Sequence, residues 1–182
     1  IVLGALTFTN TQAAVLYPLM IGAIAIAGSI VGSFFIKLGA KKHVMGALYK
    51  GLGVSAVCSL LGFYVITNRF APDLQLEPHN LFFSALTGVI LTGLMFLITE
   101  YYTSTAYRPV KNIAKASETG HGTNVIAGLA VSMRATALPV LCIVAAMLIS
   151  FTFAGLYGIA IAAMAMLSLA GIVVTIDAYG PI

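Results

Sequence analysis

The chain has 182 residues, of which 60% are hydrophobic and 8% are charged, and its formal net charge is +4. With a mean hydropathy of +1.06, it carries more apolar surface than a soluble domain of this length can bury, so the composition indicates a membrane protein. The positive charges form short clusters between apolar stretches, which suits loops beside membrane helices and argues against a nucleic-acid-binding protein.

Five apolar stretches meet or approach the about 20 residues that a helix needs to cross the hydrocarbon core. They are far too long for barrel strands, and a helix satisfies its own backbone polar groups in lipid. We therefore predict an all-α membrane protein, a polytopic transmembrane helix bundle, with residues 1–182 forming part of one transmembrane domain. The predicted spans cover about residues 14–36, 45–67, 81–99, 135–154 and 157–176.

The two ends of the sequence indicate a piece of a longer polypeptide. The chain begins at Ile1, within an apolar pattern and without a methionine, and it stops directly after a turn-like "AYGP". Residues 1–12 are either the end of an earlier span or an ordered loop.

The first and fifth spans are rich in small residues. Gly28 and Gly32 stand at GxxxG spacing in the first span, and glycine, alanine and serine dominate the fifth. In lipid, close backbone approach replaces the hydrophobic effect in holding helices together, so these residues predict buried helix contacts. We interpret the GxxxG as ordinary packing and expect the fifth helix to be an inner helix surrounded by others. Cys58 and Cys142 lie within spans and act as small apolar residues, not as a disulfide framework.

Arg134 determines where the fourth span begins. An arginine at the bilayer centre costs about 2.5–3.5 kcal/mol, so we place the membrane portion at 135–154 and treat 120–134 as a helical extension on the near side. The apolar face of that extension should pack on protein. Pro139 should kink the fourth span or free a carbonyl.

The distribution of lysine and arginine predicts the orientation. The first and third loops are basic, whereas the second has one arginine beside two acids and the fourth has no charge. Because basic loops face the cytoplasm, we predict that loops 37–44 and 100–120 and the C-terminal end are cytoplasmic. The basic residues in and beside these loops are Lys37, Lys41, Lys42, Lys50, Arg108, Lys111 and Lys115.

Two acids, Glu100 and Asp177, lie at predicted cytoplasmic helix ends, where a carboxylate opposes the helix dipole by about 0.3–1 kcal/mol. We expect a pair with Arg108 or Arg134 to hold Glu100; a role in proton handling is the alternative. Asp177 is either a solvated loop acid or part of a metal or substrate shell. The tyrosines beside Glu100 suit an aromatic belt at the membrane interface; they are Tyr101, Tyr102 and Tyr107.

The stretch "ETGHGTN" contains Gly-x-Gly, which is a weak signal for a phosphate site because no lysine follows it. We interpret Thr123 and Asn124 as helix-capping residues and the two glycines as turn residues. The three histidines lie in different loops without the spacing of a zinc site.

The strings "ITEYYTSTAYRPVKNIAKASETGHGTNVIAGLAVSM", "SFTFAGLYGIAIAAMAMLS" and "DAYGPI" closely resemble the membrane-integral pyrophosphatases, which are ion pumps driven by inorganic pyrophosphate. The resemblance is specific over residues 98–182, and residues 1–97 fit it in hydropathy and order. It implies a homodimer whose subunit has sixteen transmembrane helices in an inner and an outer ring. The five spans would be helices seven to eleven, the last from the inner ring, and residues 135–154 would form part of the dimer contact.

The same resemblance implies an enzyme that hydrolyses pyrophosphate at a cytoplasmic site with several Mg2+ ions and moves H+ or Na+, with H+ favoured. The wording "GHGTNVIAGLAVSM" is closer to K+-independent pumps. Asp177, Tyr179, Gly180 and Pro181 match the family's "DAYGP" at the substrate pocket, and Asp177 is the residue we place near metal and substrate.

Glu100, Tyr101 and Tyr102 match the family's "EYY", which implies a structural or coupling role that they would share with Arg108 and Arg134. The family's other acidic and lysine motifs are absent from this sequence, so we expect no catalytic residue in this chain and no hydrolysis by this chain alone.

Two alternatives remain at the level of sequence, a fragment of a secondary transporter and a non-catalytic structural membrane subunit. A transporter would carry charged or strongly polar groups within its spans, and these spans have them only near their ends.

Overall fold

The computed structural model describes residues 2–8, 10–36 and 44–179, and for residues 175–179 it describes the course of the backbone. Within these ranges the chain forms helices and no strand, which confirms the all-α prediction. Lys37, Lys41, Lys42, Gly180 and Pro181 lie outside the described residues. The helices are α1 (Val2–Thr7), α2 (Thr11–Phe34), α3 (Val44–Leu74), α4 (Pro78–Thr103), α5 (Arg108–Ser117), α6 (His121–Ala135), α7 (Ala137–Ser168) and α8 (Ala170–Tyr179).

Four helical stretches in the described ranges are long and apolar enough to cross a membrane: Thr11–Phe34, Tyr49–Leu74, Pro78–Ser117 and His121–Val174. The last has 54 residues, more than twice the about 20 that one crossing needs. It contains the fourth predicted span and all but the last two residues of the fifth, so the difference between four stretches and five spans comes from joining these two.

The chain divides into two compact units, one formed by residues 1–89 and 147–182 and the other by residues 90–146. In the first unit, buried side chains from several helices form one apolar core. Its largest members are Tyr17, Ile21, Phe63, Leu74, Leu81, Ile161 and Leu169.

Small residues let α2 and α3 pack closely within the first unit. A Cβ added to Gly32 would lie 2.8 Å from the Gly51 carbonyl oxygen, and one added to Gly28 would lie 3.3 Å from the Ser55 carbonyl oxygen. Such contacts with backbone atoms leave no room for a side chain. The prediction that the GxxxG pair marks a buried helix contact is therefore confirmed.

The helical path of α7 is broken at Ala154 (φ −144°, ψ 28°) and Gly155 (φ 59°, ψ −147°). The values at Gly155 lie in a region that a side chain disfavours. After the break Gly158 lies against the Ser150 carbonyl oxygen, although eight residues of straight helix would separate them by about 12 Å. The chain therefore turns sharply between the residues of the fourth and fifth predicted spans.

The part of α7 after the break is buried along one side in this chain. Ile161 and Ala165 are buried, as is Leu169 just after the helix, whereas Leu156 and Leu167 are 58% and 65% exposed. The expected inner helix, surrounded by others, is thus packed on one side only by the helices that this sequence provides.

Two expectations concern the second unit. Within this chain the apolar side chains of α6 stay exposed, including Leu129 at 61% and Met133 at 76%, so the expected packing of its apolar face on protein stays a prediction. Of the two effects expected from Pro139, the kink is not formed, because α7 begins at Ala137; the other effect remains, since Pro139 has no N–H to donate to the Ala135 carbonyl four residues earlier. The structure instead places prolines inside α2 and α3, at Pro18 and Pro72.

Candidate functional site

The end of α4 carries a cluster of three tyrosine rings. The Tyr101 ring centroid lies 5.1 Å from that of Tyr102 and 5.3 Å from that of Tyr107. Tyr101 and Tyr107 are each 42% exposed, so the cluster presents aromatic edges and hydroxyls at one end of the helix. This arrangement suits the predicted membrane interface, where rings of mixed polarity are enriched.

A hydrogen-bonded turn joins α4 to α5 beside this cluster. The Ser104 N–H donates to the Glu100 carbonyl at 2.9 Å, and the Ser104 hydroxyl oxygen accepts from the Ala106 N–H at 3.3 Å. Tyr107 has extended backbone, and Pro109 follows in the first turn of α5, where its fixed φ favours helix initiation. The backbone of "EYYTSTAYRP" is therefore ordered by local chemistry.

The expected ion pair of Glu100 is not formed among the described residues. Glu100 is half-buried, and both Arg108 and Arg134 are exposed, where water solvates a guanidinium and a surface pair adds only about 0–1 kcal/mol. The contact that the structure forms in its place is a long hydrogen bond of 3.5 Å from the Tyr102 hydroxyl to the Arg134 carbonyl. Tyr102, not Glu100, thus links the end of α4 with the end of α6.

The "ETGHGTN" stretch forms the junction of α5 and α6. Gly120 has a φ of 131° and precedes the first residue of α6, so its prediction as a turn glycine is confirmed. The capping roles predicted for Thr123 and Asn124 are wrong, because Gly120 precedes α6 without a side-chain cap bond and both residues lie within the helix. The Thr123 hydroxyl lies 2.8 Å from the Gly120 carbonyl oxygen and 3.1 Å from that of Ala116, so it donates to backbone acceptors. Gly122 also lies within α6 and is not a turn residue.

Asp177 and Tyr179 lie in the last turns of α8, and the structure describes their backbone as helical. The described part of the chain contains no group of three His, Cys, Asp or Glu side chains that could hold a metal ion. Because Mg2+ takes about six oxygen ligands, Asp177 could be one ligand of a site but cannot form a site by itself.

A cavity of about 470 Å³ in the first unit is an open groove beside α2 and the second part of α7. Its lining is apolar with three serine hydroxyls and no charged side chain. A polyanion needs cationic partners, and the described residues that line this groove supply none. The residues that line it are Gly22, Ile26, Ser29, Ile30, Ser33, Ile36, Met164, Leu167, Ser168, Gly171 and Ile172.

Two buried hydroxyl contacts between helices were not predicted. The Tyr157 hydroxyl donates to the Ala14 carbonyl at 2.9 Å, and the hydroxyls of Tyr17 and Thr67 lie 2.8 Å apart. The sequence contains one signal for the first contact, since Pro18 removes the N–H that would pair with the Ala14 carbonyl. It contains no signal for which side chain would replace it.

A family profile described as "Inorganic H+ pyrophosphatase" matches residues 1–182. A "Pyrophosphate-energized proton pump 2" of Mycoplana dimorpha is 47% identical over 192 residues, which cover 100% of this chain and 92% of that protein. A protein of the same name from Rhizobium leguminosarum bv. trifolii is 46% identical, covering 98% of this chain and 88% of its own length. A "K(+)-insensitive pyrophosphate-energized proton pump" of Methanosarcina mazei is 46% identical over 99% of this chain, which spans 27% of that protein.

Proposed function

Because this chain belongs to the inorganic H+ pyrophosphatase family, we propose that it is part of a pyrophosphate-energised proton pump, an integral membrane enzyme that couples pyrophosphate hydrolysis to H+ transport. The observation that carries the proposal is the match of the family profile to the whole chain. The long apolar helices agree with it. The relatives' names do not favour a secondary transporter or a non-catalytic subunit.

The chain's own contribution is proposed to be mainly structural. Its helices supply close-packed surfaces for the bundle. We place Asp177 and Tyr179 of α8, with Gly180 next in sequence, near the proposed pyrophosphate pocket of the pump. When bound, Mg2+ neutralises charge on a highly anionic substrate and polarises its phosphoryl oxygens. The described residues contain no group of three side chains that could hold a metal ion, so the proposed site would need ligands besides Asp177.

The orientation and assembly are part of the same proposal. Loops 37–44 and 100–120 and the C-terminal end face the cytoplasm, where pyrophosphate is hydrolysed. Residues 135–154 supply part of a homodimer contact, and the exposed apolar side chains of Leu141 and Leu148 support a surface that meets either lipid or a second subunit.

For the transported ion we propose H+ over Na+, without a requirement for K+. Support comes from the relatives named as proton pumps and from the potassium-insensitive one in Methanosarcina mazei.

The test uses the complete protein that carries this sequence in inverted membrane vesicles. Pyrophosphate is added with Mg2+, and acidification of the lumen is followed with a pH-sensitive dye with and without Na+ and K+. We expect acidification that needs neither ion. Hydrolysis with sodium uptake would overturn the choice of ion, and no hydrolysis at all would overturn the proposed activity.

A second test addresses Asp177. We expect Asp177→Asn to lower kcat/KM for magnesium pyrophosphate by on the order of 10²-fold, because an amide cannot replace a carboxylate as an anionic metal ligand. Asp73→Asn, in the predicted opposite loop, is the matched control and should leave hydrolysis unchanged. Equal activity of the two variants would remove Asp177 from the proposed site.

A further inference from the structure

Pro18 leaves one buried carbonyl of α2 without its helical partner. A proline has no N–H, so the Ala14 carbonyl four residues earlier loses the hydrogen bond that the helix would otherwise provide. Ala14 is fully buried and lies within the first membrane-crossing helix. Water cannot replace the lost bond there, and an unsatisfied carbonyl in an apolar environment is costly.

Tyr157 supplies the missing donor from a distant part of the chain. Its hydroxyl donates to the Ala14 carbonyl at 2.9 Å across 143 residues of sequence, and the side chain is 5% exposed. The Phe8 ring packs edge-on against the Tyr157 ring, with centroids 4.8 Å apart. The pocket around the bond is therefore filled by aromatic contacts.

Gly4 of α1 lies against the same Ala14 carbonyl. A Cβ at Gly4 would lie 2.7 Å from the Ala14 carbonyl oxygen, so only a glycine allows α1 to approach this atom. Three residues therefore act on the Ala14 carbonyl. Pro18 removes its helical donor, Gly4 leaves space beside it, and Tyr157 donates a hydrogen bond to it.

The hydrogen bond from Tyr157 to Ala14 lies next to the break in α7. Tyr157 lies two residues after Gly155, where the helix is broken, and so at the start of the segment that runs on to α8. Beyond the break, Ile161 and Ala165 pack this segment into the core, and the first turn needs a fixed point of its own. The bond to Ala14 ties this turn to α2.

We propose that Tyr157 is a positioning residue, whose hydroxyl fixes the segment after the helix break to the Pro18-freed carbonyl of α2 and so places Asp177 for pyrophosphate hydrolysis. The tie between Tyr157 and Ala14 is argued from geometry alone; its effect on hydrolysis rests on the proposed function. The two parts are tested with separate readouts.

The first readout is stability of the complete pump in detergent, measured as the loss of folded protein on size-exclusion after heating. Tyr157→Phe keeps the ring and removes the donor, and we expect heat inactivation on the order of tenfold faster. Pro18→Ala restores an N–H to Ala14, so adding Tyr157→Phe to it should change the rate little. Tyr64→Phe, whose ring is 54% exposed, is the matched control and should behave as the parent.

An equal effect of Tyr157→Phe in both backgrounds, or no effect in the parent, would overturn the tie. This readout needs no enzymatic activity, so it stands even if the pump does not hydrolyse pyrophosphate.

The second readout is hydrolysis at a temperature where all variants stay folded. We expect Tyr157→Phe to lower kcat/KM for magnesium pyrophosphate by on the order of tenfold, since small displacements at a site reduce rates steeply, and Tyr64→Phe to leave it unchanged. Unchanged kinetics with reduced stability would show a purely structural bond and overturn the positioning role. A parent protein without hydrolysis would contradict the proposed function, not the tie.

Discussion

Gly32 shows how a single atom decides the approach of two helices. Its missing side chain lets α2 come within contact distance of the Gly51 carbonyl of α3. Lipid tails are as apolar as the helix surfaces, so contact distance, not exclusion of water, determines how tightly such a pair associates.

We expect Gly32→Ala to lower the free energy of unfolding by about 1–3 kcal/mol, because its Cβ would press on backbone that cannot move aside. Gly53→Ala, where a Cβ would meet nothing within 4 Å, is the matched control and should be neutral or slightly stabilising. Denaturant titration of the purified protein measures both. A harmless Gly32→Ala would mean that α2 and α3 do not pack as described.

The structure predicts that substitutions of Glu100 and Arg134 have independent effects, whereas the charges in the sequence suggested an ion pair. Because no ion pair joins Glu100 to Arg134 in the described structure, we expect Glu100→Gln and Arg134→Gln to be additive within about 0.5 kcal/mol in a double-mutant cycle. The cycle is read from stability and from pyrophosphate hydrolysis. A coupling above about 1 kcal/mol would restore the ion pair that the sequence suggested.

At these residues the prediction from steric fit, the GxxxG contact, was confirmed. The prediction from charge, the ion pair of Glu100, was not met among the described residues. The spacing of Gly28 and Gly32 has one packing consequence in lipid, whereas an exposed arginine has many partners of nearly equal energy, including water. The pairing of Tyr157 with Ala14 was beyond sequence reasoning because a freed carbonyl does not specify its donor.

Among the elements, the break in α7 has the clearest physical cause. Gly155 adopts a φ of 59° with a ψ of −147°, and residues with a Cβ are strained there. The uncharged stretch between the fourth and fifth spans contains this glycine, which is why the boundary could be inferred without a polar loop.

We expect Gly155→Ala to cost about 1–3 kcal/mol of stability through backbone strain. Gly93→Ala in α4, where a Cβ would meet nothing within 4 Å, controls for the general effect of the substitution. Thermal unfolding in detergent compares the two. A stabilising Gly155→Ala would indicate that the segment prefers a continuous helix.

The prolines show where reasoning about elements reached its limit. Pro139 was expected to kink a helix or free a carbonyl; it lies in the first turn of α7, where it makes no kink and lacks the N–H for the Ala135 carbonyl at the end of α6. Pro18, within α2, has the larger consequence, since the carbonyl it frees is buried. Helix limits decide which effect a proline has, and limits are the least certain part of a prediction from sequence.

For the whole molecule, the fold class followed from composition, but the surroundings of each helix did not. α6 and the first part of α7 leave large apolar side chains uncovered, among them Met133, Leu141 and Leu148. Where small residues do not mark a helix contact, hydrophobicity alone cannot separate a face for lipid from a face for protein, because both are apolar. The candidate site was limited in the same way, since Asp177 stays a prediction from its motif and the sequence offers no partner for it.

The proposed orientation is testable by labelling single cysteines in the complete protein after Cys58 and Cys142 are replaced by alanine. We expect a membrane-impermeant maleimide to modify Lys111→Cys in inverted vesicles and Gln75→Cys only in right-side-out vesicles, because basic loops stay cytoplasmic. Labelling of both positions from one side would contradict the predicted topology.

The uncharged break at Ala154 and Gly155 has a consequence for how the chain is made. No Asp, Glu, Lys or Arg occurs from Ala135 to Ile176, so the translocation machinery meets two apolar helices with no topogenic signal between them. Their direction in the bilayer then depends on basic residues that flank the pair, such as Arg134. We therefore expect the two helices to enter the membrane as one hairpin, with the turn at Gly155 between them.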